Sequence, residues 1–485
     1  MTVRGCTPPA AARHARRAVV GAVVLLFAPF IGAIADNARG VKTPPFERVQ
    51  LPNGAVLLLM ERHDVPIVAF NALLRGGAVT DPDSGCGSAS LLAGLLEKGA
   101  GKRDAFAFAQ TVASVGGAIE TSATTESIAV SGSFLARDQK LMIELLADML
   151  QRPQLAADQF ESLRARHIEF IRSAKDSDLA ALTPIYGAAH LFAGSPYGRA
   201  VNGGEASLAA ITHADLQRFY QDQVGADRLI VAVVGDFSNA PMKQLLSRAF
   251  AGWRRAGATL PTTPQPATAA ARRVLLVDAP DSVQSYFWAG ALGVPRKDPR
   301  RASLDVVNTL FGGRFTSMLN TELRIRTGLS YGASSHFDRM QHTGHWEMSS
   351  FTQTATTTQA IDLAFETLDK LHAVGIDPAL LASGKTYVQG QFPLAFETSA
   401  QWAYQLGNLE LYGLDRSYID DYAVALDSVS ADDARKVITT VFPKGDEVTM
   451  VVIGNASVIR EGLRKYGPIT EMKLSDPVFS APAGQ

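Results

Sequence analysis

Two stretches decide how this chain reads: ITHADLQRFYQDQVGADRLIVAVVGDFS, Ile211 to Ser238, and VSADDARKVITTVFPKGDEVTMVVIGNAS, Val429 to Ser457. Each opens with a hydroxyl residue, Thr212 or Ser430, placed to accept from the unpaired N–H groups of a helix start. An amphipathic helical pattern follows, then a short break, then an apolar run closing on Gly235-Asp236 or Gly454-Asn455. Gly235 and Gly454 lie 219 residues apart. A repeat with that offset means two similar halves rather than a short-period solenoid.

Working outward, the stretch RRAGATLPTTPQPATAAARR, Arg254 to Arg273, is rich in Pro, Thr and Ala and lacks either periodicity, so it reads as an extended linker. The expected organisation is a segment 1–35, a first half 45–255, a linker 256–271, a second half 272–470 and a tail 471–485. In the first half, Ala55–Met60 and Ile67–Leu74 read as strands around the charged turn Glu61–Asp64. Ala105–Val115 reads as a helix stopped by Gly116-Gly117, and Ile119–Thr124 with Ser127–Leu135 as a hairpin. Helices are expected over Gln139–Gln151 and Ala157–Ala174. Hairpins mixed with helices, without βαβ units, predict an α+β fold with an antiparallel β-sheet packed with helices in each half.

Composition limits the function classes. The 485 residues are 47% hydrophobic and 19% charged, with a formal charge of −1. That is a packed globular chain with no electrostatic case for nucleic acid as a main partner. Two cysteines cannot build a disulfide framework, whereas nine histidines leave room for a His-ligated metal.

The N-terminus has the order of a signal peptide. Arg13, Arg16 and Arg17 precede the uncharged AVVGAVVLLFAPFIGAIA, Ala18 to Ala35, which ends in the small-x-small pattern Ala33-Ile34-Ala35. Cleavage after Ala35 would remove four Arg and no acid, taking the formal charge from −1 to −5 and leaving Cys86 as the one cysteine. The expected location is periplasmic, with an uncleaved anchor as the alternative. No later run is long and apolar enough to span a bilayer.

Four stretches carry a family resemblance: LRGGAVTDPDSGCGSASLLAGLLEKGAGKR from Leu74, LADMLQRPQLAADQFESLRARHIEFI from Leu146, FAGSPYGRAVNGGEASLAAITHADLQRFY from Phe192 and RFTSMLNTELRIRTGLSYGASS from Arg314. Together with the doubled element order they resemble the pitrilysin/insulinase-type zinc metallopeptidases, which include the mitochondrial processing peptidase. The resemblance covers about residues 45–470 and implies that family's two-half clamshell fold. In its inverted motif His-x-x-Glu-His, the two His bind zinc, the Glu is a general base, and a distal Glu is the third ligand. Laid onto this chain, the motif puts Ser90 and Gly94 at the His positions, Ala93 at the base and Phe170 at the distal ligand. These zinc-motif positions are degenerate, so no metal or other cofactor is expected in this chain. Ser90, Ala93 and Gly94 form a small-residue face, and a glycine inside a helix costs about 1 kcal/mol against Ala. The face is therefore expected either to be approached closely by another backbone, to line an emptied pocket, or to reflect drift.

The second half keeps Arg324-x-x-x-Gly328-x-x-Tyr331, similar to the family's Arg and Tyr that position the peptide and stabilise the tetrahedral intermediate. The combination looks like the non-catalytic member of the family's two-chain bacterial branch. The resemblance then implies a chain inactive alone and part of a heteromeric periplasmic metallopeptidase. Arg324 and Tyr331 would act in trans as substrate- and transition-state-binding residues. The partner, a zinc-bearing homologous peptidase subunit, would carry the cofactor, and unfolded peptides would be the substrates. The alternative is a catalytically inert peptide-binding or scaffold protein of the same fold. A separate metal site at His342-Thr343-Gly344-His345, with His336, has no carboxylate at motif spacing, so the four residues are expected to mark a turn between strands Tyr331–Phe337 and Trp346–Phe351. Gly203-Gly204 and Gly312-Gly313 lack a phosphate-loop context and read as turns.

Overall fold

The computed structural model describes residues 40–262, 266 and 272–481. The expected signal segment with its cleavage site, and most of the linker's Pro/Ala run, lie outside the described residues. Among the described residues no helix is long and apolar enough to cross a membrane.

The first half contributes β1 (Glu47–Gln50), β2 (Val56–Glu61), β3 (Ile67–Arg75), a small ladder of β4 (Gly99–Ala100) and β5 (Arg103–Asp104), the hairpin β6 (Ala118–Ala123) and β7 (Ser127–Leu135), and β8 (Leu229–Gly235). The second contributes β9 (Arg273–Asp278), β10 (Gln284–Leu292), the hairpin β11 (Ala333–Arg339) and β12 (Gly344–Gln353), β13 (Thr449–Gly454) and β14 (Ile469–Lys473). The six-stranded sheets run β1-β2-β8-β3-β7-β6 and, read in the matching direction, β14-β9-β13-β10-β12-β11. The repeat ending at Gly235 and Gly454 thus falls on equivalent strands, β8 and β13. The helices before them start alike: Thr212 accepts from Asp215 N–H and Ser430 from Asp433 N–H, while each aspartate bonds back to its cap residue.

The α+β class holds, and one detail of the expected antiparallel sheets is corrected. Pairing is antiparallel except that β2 pairs β8, and β9 pairs both β13 and β14, in parallel. Hairpins force antiparallel neighbours, but long helical connections can return a strand in either direction.

Both faces of each sheet are buried, which is why the central strands are continuous apolar runs rather than alternating ones. In β2, Leu57 and Leu59 face one core while Val56, Leu58 and Met60 face another. In β13, Met450 and Val452 face the second half's own helices, and Val451 and Ile453 face the first half's core. Helices α1 (Ser88–Leu96), α2 (Ala105–Ser114), α3 (Gln139–Gln151), α4 (Ala157–Ser177) and α5 (Leu179–Leu191) follow in chain order. Of these, α5 leaves its own half and lies on β10 and β13. The second half returns the exchange, with helix Ser399–Leu411 lying on β3 and β8. A glycine seats each crossing. A Cβ on Gly187 would stand 2.5 Å from the Trp288 ring, and one on Gly407 would stand 2.8 Å from Asn71 Nδ2.

Candidate functional site

Asp81 sets the start of α1, accepting from Gly87 N–H at 2.7 Å and Ala89 N–H at 2.9 Å. Burial pushes its carboxyl up to about 7, against these two hydrogen bonds. The helix so fixed presents Ser90, Ala93 and Gly94, and α4 packs beside it. The small face is neither an open pocket nor a backbone contact: Leu163 of α4, 7% exposed, lies over Gly94, whose added Cβ would be 3.0 Å from Leu163 Cδ2. Ser90 Oγ donates to Asn202 Oδ1 at 2.9 Å. Phe170, 69% exposed, shares with Asn202 the wall of a cavity of about 370 Å³. One committed hydroxyl, two residues without donor atoms and an aromatic ring cannot hold zinc, so the family's metal does not fit these positions.

Arg324 and Tyr331 are brought together, though not by the strand the sequence led us to expect. The strand begins at Ala333, and Tyr331 sits in the preceding turn, where Ser330 Oγ donates to Gly332 O at 2.7 Å and receives Gly332 N–H at 3.1 Å. Gly328 provides the chain reversal after the helix, at φ +65°, a conformation that disfavours a side chain. The Arg324 guanidinium lies 4.5 Å from the Tyr331 ring centroid and 4.8 Å from that of Phe315. Tyr331 is 74% exposed and Phe315 60%. Among the described residues, no carboxylate lies within ion-pair distance of Arg324. Arg324 lines an open groove of about 600 Å³ with Thr183 and Pro184 of α5, Ser334 of β11 and Phe351 of β12. Two wide π-helical turns, Thr309–Gly313 and Thr321–Arg326, contribute Gly312, Gly313 and Arg324 to it. Such turns are frequent at functional sites. Gly312-Gly313 is thus part of a π-turn rather than a simple loop. Ser90, Ala93, Gly94 and Phe170 do not line this groove.

Sequence reasoning weighed His336 and His345 as metal ligands but missed the carboxylate that joins them. The turn between β11 and β12 falls at residues 340–343, so of the four residues expected to mark it His342 and Thr343 do, while Gly344 and His345 already belong to β12. Register, however, puts Glu347 directly opposite His336 and two residues beyond His345, on the same face of the hairpin. His336 Nδ1 is 3.2 Å from Glu347 Oε1, and His345 Nε2 is 3.2 Å from Glu347 Oε2. Trp288 Nε1 donates to Oε2 at 2.5 Å. The spacing of His345 and Glu347 was visible in the sequence, but their meeting with His336 depends on register, and Trp288 comes from β10. A second missed network ties the halves: Glu126 accepts from Tyr197 OH at 2.9 Å and from Gln341 N–H at 3.0 Å. Burial raises the Glu126 carboxyl above its ordinary range despite these donors.

Residues 57–200 match the family model for insulinase (peptidase family M16), and residues 210–388 match that for the peptidase M16 inactive domain. An uncharacterized zinc protease of Streptomyces coelicolor is 24% identical over 463 residues, covering 94% of this chain and 97% of that protein. A non-peptidase homolog of Helicobacter pylori is 23% identical over 380 residues, covering 78% and 85%. A solved peptidase M16 inactive domain from Pseudomonas fluorescens shares the fold, with a TM-score of 0.79 at 22% identity over 84% of this chain and 98% of that one. The first match lies within the first half and the second runs from the end of that half across the linker into the second; the chain belongs to the insulinase (M16) peptidase family, as a peptidase-like homologue whose own zinc-motif positions carry no metal-binding set.

Proposed function

We propose that this chain is the non-catalytic subunit of a heteromeric zinc metallopeptidase, supplying Arg324 and Tyr331 to peptides cleaved by a zinc-bearing homologous partner. The observation that carries the reading is the state of Arg324. Its guanidinium is held between two exposed rings, without a carboxylate partner among the described residues, at an open groove. An arginine kept only for packing would ordinarily be paired or would project into solvent. This one offers a planar fork to a carbonyl or carboxylate, and the Tyr331 hydroxyl beside it can donate to developing negative charge. The loss of donors on α1 and α4 fits a division of labour in which zinc and general base belong to the other subunit. The N-terminal pattern supports export with cleavage after Ala35, to be checked by N-terminal sequencing of the exported protein.

The test is reconstitution. Mixed with its zinc-bearing homologue, the wild-type chain should give peptide hydrolysis. Tyr331→Phe and Arg324→Ala should each lower turnover by about 100-fold while complex formation persists, the loss of one oxyanion donor being of that order. Unchanged turnover in both variants would overturn the shared site. It would favour an inert peptide-binding or scaffold protein, a reading supported by the likeness to the H. pylori non-peptidase homolog.

A further inference from the structure

The cavity of about 370 Å³ lies where α4 and α5 of the first half meet β11 and β12 of the second. Its wall includes the apolar Ile171, Leu182, Ile185 and Phe192, and its polar end includes His336, His345 and Glu347. One potential ligand atom from each of these three residues lies within 4.8 Å of the other two. None of them is a zinc-motif position, although Phe170 and Asn202, the acceptor of the Ser90 hydroxyl, line the same cavity, and none of them takes part in the groove of Arg324.

Three observations separate this cluster from a chance meeting of polar side chains. First, the spacing suits a metal. In a tetrahedral site with bonds of about 2.0–2.1 Å, neighbouring ligand atoms stand about 3.3 Å apart; His336 Nδ1 is 3.2 Å from Glu347 Oε1, and His345 Nε2 is 3.2 Å from the other oxygen, Oε2. Second, His345 is 7% exposed, and its Nδ1 is buried without a hydrogen-bond partner. Buried polar groups are seldom left so; Nε2 of the same ring is already committed to Glu347, so Nδ1 is the nitrogen still open to a ligand. Third, Glu347 is itself 6% exposed and already oriented, since Trp288 Nε1 donates to one of its oxygens. Trp288 is fixed in turn by Gly187 of α5, which packs against its ring. That is the outer layer of hydrogen bonding and packing that metal-ligating carboxylates characteristically have.

We propose that His336, His345 and Glu347 bind one first-row divalent cation, for which two imidazoles and a carboxylate make zinc the best match. The remaining coordination position faces the cavity, and the exposed side of His336 is the path of entry. The ion joins β11 to β12 within the second half, in the cavity that α5 of the first half helps to wall. This site is independent of the proposed peptidase partnership, because its test uses the full chain alone and reads metal binding rather than turnover.

The test is to strip the purified full chain with a chelator, dialyse it against zinc, and measure bound zinc by elemental analysis and melting temperature with and without the metal. Cobalt substitution reads coordination through the visible bands of a tetrahedral ion. Wild type should retain one equivalent of zinc and melt several degrees higher with it, and His342→Ala, in the neighbouring turn, should behave the same. His336→Ala and His345→Gln should each lose the stoichiometric ion and the metal-dependent shift. His336 is exposed, so its variant tests the site even where His345→Gln fails to fold. Folded wild type that retains no zinc, or a His336→Ala chain that binds as much as wild type, would overturn the proposal.

Discussion

At Gly94 the chain has closed over the place where a metal ligand would project from α1. Leu163 fills it, so the glycine's small size has a packing reason and is not drift alone. Gly94→Leu should therefore cost about 1–3 kcal/mol by overpacking. Leu163→Ala in the same chain should recover part of that loss, as read by the urea midpoint; an undiminished midpoint for Gly94→Leu would restore drift. His190 gives a pH prediction. Burial, followed by the charge of Arg273, pulls its imidazole from 6.5 down to about 4, and its Nε2 is buried without a partner. A base depressed in the folded state takes up its proton more readily when unfolded, so its effect appears as pH falls from about 6.5 towards about 4. Wild type should lose stability across that window, and His190→Gln should flatten the loss. Equal slopes for the two chains in urea unfolding would remove His190 as the cause.

Elements show where local pattern suffices and where it does not. The strand Ser127–Leu135 and the helix Gln139–Gln151 have the bounds their periodicity predicts, because alternation and helical spacing of apolar residues specify each against its own sheet and core. Tyr331 was expected inside β11 but stands before it, because Ser330 and Gly332 hold a local turn that apolar patterning does not reveal. The exchanged helices are less legible still. Nothing in the apolar spacing of α5 tells which sheet it will cover, and the glycines that seat the exchange acquire meaning only against Trp288 and Asn71. Gly187→Ala should destabilise, despite Ala's better helix propensity, because its Cβ has no room. Gly390→Ala, in helix Pro378–Gln391 with nothing within 4 Å, should instead gain up to about 1 kcal/mol. Thermal unfolding of the two variants compares the signs directly, and a stabilised Gly187→Ala would contradict the close seating of α5.

For the molecule as a whole, the two halves are interlocked rather than merely tethered. Beyond the exchanged helices, Arg75 donates to Leu411 O at 2.7 Å and to Glu410 O at 3.0 Å, and Glu126 holds the Gln341 backbone across the seam. The groove of Arg324 is lined by residues of both halves, Thr183 and Pro184 from the first and Ser334 and Phe351 from the second, and the zinc-motif positions do not line it. Alone, the chain should give no peptide hydrolysis. With the partner present, turnover should depend on Arg324 and Tyr331.

By itself the sequence determined the duplication, the α+β class, the family and the absence of metal donors from the inherited motif, because each rests on residue identity or on spacing within one element. Tertiary structure decided what fills the place of the motif, which sheet each exchanged helix covers, and which histidines meet a carboxylate. Those depend on strand register and on side chains drawn from distant segments, such as Leu163 over Gly94 and Trp288 beneath Gly187, and no local pattern encodes such meetings.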